Sequence, residues 1–172
     1  MTDDERIQRW VAEQKRLEAE NKKEFLRGLS EGLRCDGFQR SGVVFRRTVG
    51  IDTQIIDFEA DHGAFRVYVG VYFPDLAVIF SDGLDQPEPI GRRRAWRCSI
   101  KEHLHDLDGS VPYSAGYDPT TVVEWLQMLR TTAIPWLETA SLPTYKGIRT
   151  PELKHAFQTM WAQREGVGPV DS

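Results

Sequence analysis

Cysteine and histidine are scarce, with two and four copies in 172 residues. Cys35 and Cys98 stand far apart and fit no metal or redox spacing, so they read as reduced, partly buried thiols. No run of 18 apolar residues occurs, which excludes a transmembrane helix and leaves no membrane role. No positively charged start leads into an apolar core, so no secretory leader is read, and a cytoplasmic residence is expected. An excess of positive charge is also missing. Twenty-two Lys plus Arg against 26 Asp plus Glu gives a net charge of −4, which argues against a generic nucleic-acid coat. The chain contains no G-x-S-x-G, Walker loop, G-x-G-x-x-G or H-E-x-x-H motif. No nucleophile constellation stands out, and no cofactor is expected.

What is present is an ordinary globular composition, 40% hydrophobic and 28% charged. Such a length holds one domain and buries enough surface to fold without metal or disulfide. Residues 3–34 read as helix, rich in Glu, Lys, Arg, Leu and Ala, with no Pro and no Gly before Gly28. Its apolar positions fall into two stripes. Ile7, Trp10, Val11 and Leu17 make the first, and Phe25, Leu26, Leu29 and Leu33 the second; Gln14 and Asn21 interrupt them. Gly37 ends the helix, and the period then changes to 2. Strands are read over 43–49, 53–59, 65–73 and 95–105, with Leu76–Phe80 as a possible short strand. The clearest has Phe65, Val67, Val69, Val71 and Phe73 on one face and Arg66, Tyr68, Gly70 and Tyr72 on the other.

A helix over 119–139 follows, capped by Asp118, with Pro135 expected to break or kink it near Thr132–Ile134. A last helix starts at Thr150-Pro151-Glu152. The expected fold is α+β: a two-layer sandwich, an antiparallel sheet of about four strands packed by N-terminal and C-terminal helices. The expected organisation is an N-terminal helical extension over 1–21, one domain over 22–165 and a flexible tail over 166–172.

Several of these segments resemble a known family. They are Cys35-Asp36-Gly37-Phe38 with Gly42 and Phe45, Gln54-Ile55-Ile56-Asp57-Phe58, Phe65 to Val71, Trp125-Leu126, and Ile134-Pro135-Trp136-Leu137. In that order, across roughly residues 22–140, the chain resembles the bacterial domain of unknown function catalogued as number 4304. It departs from that pattern after the fourth strand, where His103-Leu104-His105 and Pro112-Tyr113 replace an Arg-led segment and paired tryptophans. The resemblance implies an α+β fold and a bacterial source. It implies no activity, although domains of this kind look like parts of toxin–immunity neighbourhoods.

Three constellations could carry chemistry. His103, His105, Asp106 and Asp108 are the densest set of possible metal ligands, since alternate strand residues point the same way. The blander reading is a polar strand end running into an acidic loop. Arg92, Arg93, Arg94 and Arg97, beside Trp96, suit phosphate clamping with base stacking or an acidic protein partner. The acidic 82–88 loop could equally neutralise them. Arg66, Tyr68 and Tyr72 lie on the sheet face turned from the valines and could form a binding platform unless a helix covers them.

The expectation is therefore a non-enzymatic protein-interaction module, in its most specific form an immunity-type or antitoxin-like protein that blocks a toxin. Its expected partner-binding residues are Trp10, Arg66, Tyr68, Tyr72, Arg92, Arg93, Arg94 and Trp96. The alternatives are a metal-dependent hydrolase or ligand-binding domain built on the His103/His105/Asp106/Asp108 cluster, and nucleic-acid binding through Arg92–Arg97. The first helix is also too long for one sheet. A straight helix of this length spans about 48 Å, against about 25–30 Å for strands of seven to nine residues. One sheet cannot cover both stripes. Residues 3–20 are therefore expected to meet a partner or a second copy as a homodimer, because leaving the first stripe bare forgoes several kcal/mol of burial.

Overall fold

The fold is described from a computed structural model, covering residues 2–61, 64–75, 99–104, 118–139 and 151–166. Helix α1 runs from Asp3 to Leu33 without a break. It ends in a left-handed turn at Gly37 (φ 84°), where the Phe38 N–H reaches the Leu33 carbonyl at 3.1 Å and the Gly37 N–H reaches that of Arg34 at 3.0 Å. These two bonds satisfy carbonyls that every helix end leaves open, and only a residue tolerant of positive φ can place them.

The strands are β1 (Gln39–Ser41), β2 (Val44–Val49), β3 (Asp52–Asp61), β4 (Ala64–Tyr72) and β5 (Ser99–His103). They form a single antiparallel meander in the order β1-β2-β3-β4-β5. Among the described residues the sheet thus has five strands where about four were expected. The addition is β1, whose Gln-Arg-Ser sequence carries no apolar alternation. It pairs because Gly42 (φ 65°) turns the chain back, setting Ser41 opposite Val44. Of the strand expected over 95–105, the described part is β5; the possible strand Leu76–Phe80 lies outside the described residues.

After the sheet come α2 (Pro119–Met128), a π-helical turn (Leu129–Ala133), α3 (Ile134–Thr139) and α4 (Pro151–Arg164). Asp118 caps α2 as the sequence suggested, accepting from the Thr120 N–H at 2.9 Å. Pro135 does not break the helix. The turn before it widens instead, with the Ile134 N–H bonded five residues back to the Leu129 carbonyl. A wide turn is one of the ways a helix absorbs a residue that lacks its own N–H.

The core lies between one sheet face and the helices. Phe45, Ile56, Phe58, Phe65, Val67, Val69 and Val71 supply the sheet side, and Phe25, Leu26, Leu29, Leu33, Trp125 and Leu129 much of the helix side. Phe25 is its hub. Its ring stacks on Phe65 at 5.6 Å and meets Trp125 and Phe58 edge-on at 5.7 and 6.4 Å. Gly32 lets α2 approach α1 closely, because a Cβ there would stand 2.3 Å from Leu126 Cδ1. Met160 and Ala156 bring α4 into the same core, with Trp161 edge-on to Phe73 at 6.4 Å. The architecture is an α+β sandwich, as the order of elements implied.

Candidate functional site

The second stripe of α1 is the buried one. Phe25, Leu26, Leu29 and Leu33 are the buried residues of the helix. The first stripe is bare: Ile7 is 59% exposed, Trp10 65%, Val11 37% and Leu17 38%. At 100° per residue the two stripes are turned from each other by roughly 80°, so the first does not prolong the line of contact with the core.

The arm carrying this stripe is held helical by its own polar groups. Thr2 and Glu5 form a reciprocal cap, with the Thr2 N–H on Glu5 Oε2 at 2.7 Å and the Glu5 N–H on Thr2 Oγ1 at 3.3 Å. Arg6 pairs with Asp3 at 2.7 Å. Arg16 lies between Glu13 (2.6 and 3.0 Å) and Glu20 (2.9 Å). The hydrogen bond from Arg16 holds the Glu13 carboxyl below the usual range, and the same bond raises the Arg16 guanidinium. Both sit in open solvent. Each such pair favours the helix by a small amount.

The outer face of the sheet is less open than its sequence implied. Val44 and Ile55 are buried there and form a small second cluster with Val43 and Tyr72. Asp57 is also buried, Tyr68 and Tyr72 are half-buried, and Arg66 is exposed. The registers set Tyr68 between Asp57 and His103, Tyr72 opposite Thr53, and Arg66 opposite Glu59. Arg66, Tyr68 and Tyr72 therefore do share one face of β4, but the tyrosines are partly taken up in packing. Trp10 is remote in the fold, on a helix whose buried half packs against the opposite face of the sheet.

Arg92, Arg93, Arg94, Trp96 and Arg97 lie outside the described residues, as do His105, Asp106, Asp108 and Cys98. His103 is placed only as the last residue of β5. Among the described residues no group of three or more His, Cys, Asp or Glu could hold a metal ion. No helix among them is long and apolar enough to cross a membrane.

A concave polar site escaped sequence reasoning. Arg47, Val49, Asp52, Gln54, Val71 and Glu138 line a hollow of about 360 Å³. Arg47 donates from Nε to Gln54 Oε1 at 2.6 Å and from Nη1 to the Asp36 carbonyl at 3.0 Å, and it meets Glu138 at 3.5 Å. Its guanidinium also lies 4.8 Å over the Phe38 ring. The Gln54 amide donates to the Leu137 carbonyl at 3.0 Å. At the rim, Arg164 grips both oxygens of Asp52 at 2.7 and 2.8 Å and one of Asp75 at 2.8 Å. The Asp52 bonds, against a desolvation penalty, raise the Arg164 guanidinium further above physiological pH. These groups are committed to one another and tie the turn after α1, β2, β3, α3 and α4 together. The available signal was Gln54, a polar residue on the same strand face as Ile56 and Phe58.

Cys35 is exposed, contrary to the expectation of a partly buried thiol. It sits in the turn just after α1, where the Arg130 guanidinium reaches its Sγ at 3.1 Å, the Gly32 carbonyl at 2.8 Å and Asp36 Oδ2 at 2.9 Å. The bond to Asp36 is the main cause of the raised Arg130 guanidinium. The cluster fastens the C-terminal end of α1 to the π-helical turn.

No family model, curated protein or solved structure matches this chain.

Proposed function

We propose that the chain is a non-enzymatic protein-interaction module that docks through the free half of α1. The observation that carries this reading is the bare stripe of Ile7, Trp10, Val11 and Leu17 on an arm braced by its own cap and ion pairs. Large apolar groups gathered on one helix face recognise another apolar helix face, and exposed Trp is a frequent anchor of such contacts. The polar hollow at Arg47 supports the same reading by its commitment: its charged groups brace the fold against one another. The resemblance to a bacterial family of unknown function implies a bacterial source and no activity.

The test compares the full chain with the Trp10→Glu/Leu17→Glu variant, each immobilised and exposed to lysate of the source organism. The wild type is expected to retain a protein that the variant loses, while both keep the same thermal midpoint. Identical retention by the two chains would overturn the reading.

A further inference from the structure

The hollow at Arg47 lies where the inner face of the sheet turns from apolar to polar. Phe45, Ile56 and Val69 form one row across β2, β3 and β4, and Arg47, Gln54 and Val71 form the next. Val49 and Asp52 follow as a cross-strand pair. Its volume of about 360 Å³ falls within the range of small-molecule sites, about 300–1,000 Å³.

Its donors outnumber their partners. A guanidinium carries five N–H groups and a side-chain amide carries two. Among the described residues Arg47 uses three, on Gln54 Oε1, the Asp36 carbonyl and Glu138, and Gln54 uses one, on the Leu137 carbonyl. Two N–H groups of Arg47 and one of Gln54 are left over, although the Arg47 side chain is only 16% exposed and Gln54 only 5%. A sheltered donor without an acceptor is costly, so these groups suit an anionic oxygen from outside the chain. The anion already present is loosely held. Glu138 meets Arg47 at 3.5 Å, against about 2.7–2.9 Å for a close charge-assisted bond, and its side chain is 62% exposed. Both oxygens of Asp52 are gripped by Arg164. The charges left to a ligand are thus one cation and one anion, side by side, with Val49 and Val71 as an apolar wall.

We infer that this hollow binds a free α-amino acid with a branched aliphatic side chain. Its carboxylate takes the spare N–H groups of Arg47 and Gln54, its ammonium lies on Glu138, and its side chain packs on Val49 and Val71. An α-amino acid holds both charges on one carbon, which matches a cation and an anion this close together. A simple carboxylate would satisfy Arg47 and face Glu138 with like charge, and a simple amine would do the reverse. A peptide carries its α-ammonium and α-carboxylate at opposite ends, so neither terminus offers both. The hollow lies past the C-terminal end of α1, away from the bare stripe, and its ligand is independent of what the stripe docks.

Isothermal titration of the full chain with L-valine and L-leucine in turn is the test. Saturable one-to-one binding is expected for at least one of them, with a thermal midpoint that rises with its concentration. For L-valine the matching fragments are 3-methylbutanoate, which lacks the ammonium, and isobutylamine, which lacks the carboxylate; for L-leucine they are 4-methylpentanoate and 3-methylbutylamine. Each fragment should bind about tenfold or more weakly than its parent. Two substitutions at exposed side chains separate binding from folding. Glu138→Gln removes the anion, and Val49→Phe fills the apolar end of the hollow. Both should keep the midpoint of the ligand-free chain and weaken binding about tenfold or more. No saturable binding of either amino acid up to millimolar concentration, a fragment that binds as tightly as its parent, or wild-type affinity in either variant would each overturn the inference.

Discussion

At Gln54 the side-chain oxygen accepts the Arg47 Nε–H and the amide donates to the Leu137 carbonyl, all within the protein. Gln54→Leu keeps the volume and strands both partners. An unmatched buried polar group costs about 1–3 kcal/mol, so a loss of about 2–3 kcal/mol in urea unfolding is expected. Gly32 is a steric counterpart. Gly32→Ala puts a methyl 2.3 Å from Leu126 Cδ1, an overpacking cost of about 1–3 kcal/mol set against about 1 kcal/mol gained in helix propensity. The same substitution in a Leu126→Ala background should be neutral or stabilising, and a double-mutant cycle reads the coupling.

Asp118 gives a pH signature. The Thr120 hydroxyl and then its N–H hold the Asp118 carboxyl below its ordinary value. A group lowered on folding stabilises the fold above its unfolded value, about pH 4, and loses that contribution as pH falls through the lower folded value. The thermal midpoint of wild type over Asp118→Asn should therefore be largest near neutrality and shrink below about pH 4.

Helix α1 is one element with two roles. Phe25→Ala opens the aromatic hub and should cost about 3–5 kcal/mol by denaturant titration, whereas Trp10→Ala in the monomer should leave the midpoint in place. The sequence made this division legible because eight apolar residues fall into two stripes on a helix longer than any sheet it could cover. Strand β4 was equally legible, since five apolar residues alternate from Phe65 to Phe73. Strand β1 was not, because three polar residues carry no period and the pairing depends on Gly42. The π-helical turn left only Pro135 as a mark. The Arg47–Gln54 contact is a cross-strand pair, visible only once the β2–β3 register sets the two residues opposite.

For the molecule as a whole, folding and docking reside in different residues. Among the described residues the helix side of the core begins at Phe25, and the arm adds no buried apolar group to it. Deleting residues 1–20 should leave the thermal midpoint of the monomer nearly unchanged and abolish retention of the lysate protein that the full chain captures. A truncated chain that does not fold would place the first stripe in the core. The arm leaves the domain as a direct continuation of a helix whose far end is fixed by Arg130, Asp36 and Gly32. Its direction is thereby set by the fold.

The turn at Leu129–Ala133 carries one residue more than a regular helix would need. Removing exposed Thr131 would close that turn to ordinary periodicity and leave Ile134 and Leu137 on their faces. It would also set the Pro135 ring against the carbonyl four residues back, at a cost of about 3 kcal/mol. The shortened chain is expected to unfold at a markedly lower temperature than one in which Thr131 is replaced by Ala, and Pro135→Ala in the shortened chain should restore the midpoint. The width of this turn is therefore tied to Pro135 and not to the facing of the residues after it.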